Sequence, residues 1–95
     1  MQNTANKSTL NISRKQLGRT LVLTLDGEAG IGCMDMLESE LARASAMRPQ
    51  HVLIDLTHLG SIAALVNGTL SMFANAVRNN GGDVRFLVQP MKRSA

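Results

Sequence analysis

The sequence predicts a single α/β domain: a mixed four-stranded sheet, an N-terminal hairpin followed by parallel strands, with helices packed on one face. Three observations carry this. Short apolar runs with strand character alternate, after the first two, with two stretches of helical periodicity. The first two strand patterns are separated only by a short Gly-containing segment, as in an antiparallel hairpin, whereas the later ones are separated by helices, whose right-handed crossovers leave strands parallel. And 95 residues leave room for one core only.

Residues 1–8 are polar and aperiodic and are expected to be disordered; the domain proper is expected over 9–90, with 91–95 as a basic tail. From Thr9 to Arg14 the pattern alternates, with Leu10 and Ile12 on one side and Asn11 and Ser13 on the other. Lys15 to Arg19, with Gly18, is the expected turn. Thr20 to Asp26 places Leu21, Leu23 and Leu25 on one face. Gly27 to Gly32 follows as a Gly-rich exit loop. Backbone N–H groups in such a loop can cradle a phosphate, but no Gly-x-Gly-x-x-Gly or Walker spacing is present, and the glycines read as easing a tight turn.

A helix is expected from Cys33 to Met47, with Met34, Leu37, Leu41 and Ala44 at the spacing of one buried stripe. Asp35, Glu38 and Glu40 in its first half and Arg43 and Arg48 toward its end suit the macrodipole, and Pro49 stops it. The acids read as a solvated face rather than a general acid/base pair. Val52, Leu53, Ile54 and Leu56 then form a strand expected to be buried on both faces, bounded by Pro49 and Gly60. These four are expected among the most buried residues. The chain next hands over to a second helix, Ala64 to Asn80, with Leu65, Thr69, Phe73, Ala76 and Val77 tracing its apolar side. Leu41 and Phe73 are expected to face the sheet. Asn80-Gly81-Gly82-Asp83 is a helix stop of the left-handed-glycine kind, and Asp83 to Gln89 is the last strand, ended by Pro90.

Composition narrows the function classes. The formal charge of +3 is dispersed, and Tyr and Trp are absent; a nucleic-acid surface gathers its charge and offers aromatic platforms, so no nucleic-acid partner is expected. A single Cys33 excludes an internal disulfide. No apolar run approaches the roughly 18 residues of a membrane span, no signal peptide is evident, and a cytoplasmic protein without direct membrane insertion is expected. His51, His58 and Cys33 lack the number and spacing of a metal site, and Cys33 has no accompanying base. No cofactor, metal or catalytic residue is therefore expected. Asp55, an acid inside an apolar strand, is expected to accept backbone N–H bonds beside Thr57, a structural role. Met34, Met36, Met72 and Met91 offer either core or an adaptable binding surface.

Four pieces, in order, carry a family resemblance: Gly27-Glu28 after the second strand, Val52 to Leu56, the Leu59–Ile62 loop, and Gly81-Gly82-Asp83-Val84. From about Leu10 to Gln89 the chain resembles the STAS domain, the family of bacterial anti-sigma-factor antagonists and of the cytosolic domains of sulfate transporters. The resemblance implies a non-catalytic interaction module that binds a kinase-type anti-sigma factor, or another STAS-binding protein, through the loop and the start of the second helix. It puts Ser61, Ile62, Ala63, Ala64, Leu65 and Asn67 at the partner surface, and it allows a homodimer. It also implies a phospho-switch, typically Asp-Ser-Ser/Thr-Gly at the helix start. Aligned on Ile62, those positions are Ala63, Ala64, Leu65 and Val66, so all four differ, and the phosphorylated Ser is Ala64. The acid expected after Gly27-Glu28-x is Gly30. Ser61, Thr57 and Thr69 are nearby hydroxyls that do not match the phospho-position. The family usually adds a final helix against the sheet, so an open flank or a truncated sequence is expected here. An alternative function is a scaffold or accessory subunit, in a stressosome-like assembly or as the small STAS partner of a membrane transporter ATPase.

Overall fold

A computed structural model describes residues 10–89; the expected disordered start and basic tail lie outside the described residues. The chain forms β1 (Asn11–Leu17), β2 (Thr20–Ala29), a 3-10 turn (Ile31–Cys33), α1 (Met34–Ala46), β3 (His51–Ile62), α2 (Ala64–Asn79) and β4 (Asp83–Leu87). The strands lie in the order β1-β2-β3-β4. β1 and β2 are antiparallel, and β2, β3 and β4 are mutually parallel. The expected architecture is therefore the observed one.

The hairpin is tighter than the sequence implied. Lys15, Gln16 and Leu17 belong to β1, and Leu17 pairs with Thr20, leaving a two-residue turn at Gly18-Arg19. β2 likewise continues through the expected exit loop to Ala29, so Gly27-Glu28 lies within the strand. β3 is the longest strand. It runs past Gly60, and the expected Leu59–Ile62 loop is its C-terminal part. The register between β2 and β3 shifts between Thr24 and Asp26 and again between Gly27 and Glu28, each time with one additional residue on β3. Such bulges let a strand carry irregular residues without losing its pairing.

The core lies between the sheet and the two helices. Leu21, Leu23 and Leu25 of β2, Val52 and Ile54 of β3, and Val84 of β4 meet Leu37, Leu41 and Ala44 of α1 and Val66, Leu70, Phe73, Ala74 and Val77 of α2. β3 is consequently buried on one face, not two. Val52 and Ile54 are fully buried, whereas Leu53 and Leu56 are only half-buried. The reason is positional: Leu53 pairs with Val22 and Arg85, and paired residues share a sheet face, here the one opposite the helices. α2 also turns out differently. Its buried stripe is Val66-Leu70-Phe73-Ala74-Val77, so Leu65 and Ala76 are exposed and Thr69 is intermediate. The expected stripe was right at Phe73 and Val77; Val66 and Leu70 are buried in place of the adjacent Leu65 and Thr69, and Ala74 in place of Ala76.

Both helices stop as the sequence indicated. Arg48 takes φ 50° after α1 and Pro49 follows. After α2, Gly81 takes φ 92°, its N–H donates to Arg78 O at 3.0 Å, and the Gly82 N–H donates to Val77 O at 3.0 Å. This pair of bonds is the Schellman closure, which needs a residue that tolerates the left-handed region. At the flank of the sheet, Phe86 shares the core-side register of Ile54 yet is 38% exposed. Leu87 and Val88 beside it are exposed too, so among the described residues this flank is open.

Candidate functional site

The C-terminal ends of the parallel strands β2 and β3 bring two chain exits together. β2 leaves through Gly30 into the turn Ile31–Cys33, and β3 leaves through Ala63 into α2. One backbone bond ties them: the Ala63 N–H donates to the Ala29 carbonyl at 2.9 Å. The open ends of parallel strands are where α/β sheets present their working surface.

Ala63 is the N-cap of α2, in extended conformation and without a side-chain cap. Its carbonyl accepts the N–H groups of Val66 at 3.0 Å and Asn67 at 3.1 Å. Ala64 and Leu65 form the first turn, both exposed, and Asn67 points outward. Ile62 and Ala63 are half-buried and packed against the core. Ser61 lies in β3, opposite Glu28. The six residues expected at the partner surface are thus contiguous, but they do not form a loop: Ser61 and Ile62 end a strand, and Ala64, Leu65 and Asn67 begin a helix. Ala64 and Leu65 make the first turn of α2 apolar, Asn67 is a polar residue beside them, and the segment carries no charge.

Two features were missed from the sequence. Ile31 is 67% exposed and Leu65 is 57% exposed, and the Ala29–Ala63 bond sets their two segments side by side. An isoleucine between glycines, Gly30-Ile31-Gly32, was the available signal: glycines cannot bury it from either side. The second is the packing at Gly60. A Cβ there would collide with the Glu28 carboxylate, so Gly27-Glu28 and Gly60, two pieces of the family resemblance, meet across the β2–β3 ladder beside the site.

The remaining candidates for chemistry are structural. Cys33 is buried in the core, and burial pushes its thiol pKa up, the opposite of a reactive cysteine. Asp55 Oδ1 accepts the Thr57 hydroxyl at 2.6 Å and the Thr57 N–H at 2.9 Å. Those two bonds hold the carboxyl below its ordinary value and fix the chain at the first β3 bulge, the role expected for it. Gln89 bonds the Thr57 carbonyl from the far side. His51 Nδ1 lies 2.6 Å from Asp83 Oδ1, joining the starts of β3 and β4 at an exposed position. Among the described residues there is no group of three or more His, Cys, Asp or Glu placed to hold a metal ion, and no helix long and apolar enough to cross a membrane.

The chain has the fold of STAS domains and anti-sigma-factor antagonists. It is similar to an anti-sigma factor antagonist from Mycobacterium paratuberculosis, with a TM-score of 0.79 and 15% identity over 86% of this chain and 69% of that one. It is also similar to an antisigma-factor antagonist STAS domain from Rhodobacter sphaeroides, with a TM-score of 0.65 and 20% identity over 82% of this chain and 85% of that one. A third similar structure, Mglu, is matched with a TM-score of 0.66 over 85% of this chain but only 20% of its own, so the same fold also forms a small part of a larger protein. No protein-family model matches the sequence, and no curated protein matches it either.

Proposed function

We propose that the protein is a non-catalytic interaction module of the anti-sigma-factor-antagonist kind, acting in the cytoplasm. It binds a kinase-type anti-sigma factor through Ser61, Ile62, Ala63, Ala64, Leu65 and Asn67. What supports this reading above all is the apolar first turn of α2, exposed at the open ends of the parallel strands in a fold shared with anti-sigma-factor antagonists. An exposed Leu65 costs solubility and gains nothing for the core, which Val66 already fills. A surface of this kind is stabilised by covering it.

The same surface carries no switch of the usual type. A phosphate added to a hydroxyl in the first turn of a helix brings about −1.5 to −2 charges and meets unpaired backbone N–H groups. Ala64 stands at that position and has no hydroxyl. The module therefore stays permanently in its unphosphorylated-like form, and partner binding is controlled by concentration or competition.

The test is to incubate the protein with an ATPase-type anti-sigma factor and ATP, then map modification by mass spectrometry and complex formation by sizing. The expected result is a complex that persists with ATP and carries no phosphate on residues 61–67. Phosphate on Ser61 with loss of the complex would replace this reading with a displaced switch.

A further inference from the structure

Between α1 and α2 runs an open groove of about 300 Å³. Its floor is Leu41 and Phe73, both nearly buried, and Met72 stands over it, 72% exposed. Small residues form its walls, Ala42 and Ser45 on α1 and Ala76 on α2, so a visiting backbone can come close. Thr69 turns its hydroxyl onto the Leu65 carbonyl at 3.1 Å, which satisfies its polar group within α2. Of the side chains that line the groove only Glu38 is ionisable. Leu65, Thr69, Met72 and Ala76 follow the i, i+4, i+7, i+11 spacing of one helix face, so the groove continues the apolar surface that begins at the first turn of α2.

We propose that this groove takes an amphipathic helix of a partner protein, with a lysine or arginine flanking its apolar face opposite Glu38. Two arguments select that occupant. Both walls are helices whose main-chain groups are bonded internally, so neither offers an edge to which an extended peptide could add as a strand, whereas a helix needs no main-chain partner. The charge on the lining is a single carboxylate, which attracts a cation and disfavours an acidic flank. From Thr69 to Ala76 the groove spans two turns, about 10 Å, the length over which a helix presents apolar anchors at i, i+3, i+4 and i+7. The inference rests on the partner reading above only for which protein supplies the helix.

Synthetic peptides test it without an anti-sigma factor. One is a helix-stabilised peptide with leucines at i, i+3, i+4 and i+7 and flanking lysines; its twin carries glutamates in place of the lysines, and a third is a proline-interrupted scramble. Backbone amide shifts are followed by NMR during titration. The expected result is binding of the lysine peptide with shifts centred on Ala42, Met72 and Ala76. The lysine peptide should bind about two- to fivefold tighter than its twin, a preference that Glu38→Gln removes. Met72→Asp should lower affinity about tenfold or more, and because the side chain is exposed the variant keeps the wild-type thermal transition. Shifts clustered on the open sheet face, affinity unchanged in Met72→Asp, or equal binding of the scramble would overturn the proposal. Such a failure would leave the α2 first turn to be judged on its own variants.

Discussion

Asp55 shows how much a single residue can disclose. An acid between Ile54 and Leu56 has to find donors, and the nearest that its short side chain can reach are two residues on. Asp55-Leu56-Thr57 supplies both a hydroxyl and an N–H, and both are used. Since those bonds lower the carboxyl pKa, the ionised form is favoured by folding. Its contribution is fully present above the unfolded-state aspartate pKa of about 3.9 and is lost as pH falls through the lower folded value. Asp55→Asn should therefore lower stability near neutrality and flatten the decline of stability below about pH 4. Urea titrations of both proteins across acidic pH check this, and parallel curves would show that the carboxyl is not favoured by folding. For Cys33 the lack of an accompanying base argued against a reactive thiol, but its burial in the core was not legible locally.

At the scale of elements, the termini of the helices were readable and their phases less so. Pro49 and Asn80-Gly81-Gly82 stop helices whatever the tertiary structure. The phase of α2 was ambiguous because Leu65-Val66 and Met72-Phe73 place apolar residues side by side, and either member of each pair completes a helical stripe. The sheet selects Val66 and Phe73, leaving Leu65 and Met72 outside. Phe73, common to both stripes, fills the space between α2 and the sheet, and Phe73→Ala should cost about 3–5 kcal/mol. A loss under about 1 kcal/mol in chemical denaturation would mean the aromatic ring is not in the core. Gly82 is constrained differently. A Cβ there would lie 2.7 Å from Pro49 O and 2.8 Å from Val77 Cγ1, where the exit of α2 passes the entry to β3. Gly82→Ala should therefore destabilise by about 1–3 kcal/mol; a variant melting like the wild type would show that this crossing relaxes freely. β3 was misjudged for the reason that a continuous apolar run does not say how many faces are covered. Leu53 lies on a face that the helices do not reach.

For the whole molecule, order of elements and direction of strands followed from connection lengths alone: a short hairpin makes antiparallel neighbours, and a helix between strands makes parallel ones. The candidate site was legible as a segment but not as a surface. Residues 61–67 stood out through resemblance, whereas Ile31 joins them only because the parallel pairing of β2 with β3 brings Ala29 to Ala63. We propose that the exposed first turn of α2 is the partner surface, with Ala64 at its centre. Placing Asp there sets a charge where a partner would desolvate it, while the helix N-terminus tolerates the carboxylate in the free protein. The decisive measurement is a calorimetric titration of wild type and Ala64→Asp against an ATPase-type anti-sigma factor. Equal folding stability, with binding weakened by about 1–3 kcal/mol in the variant, is the expected result. Equal affinities would contradict it, place the docking surface elsewhere, and favour a scaffold over an antagonist.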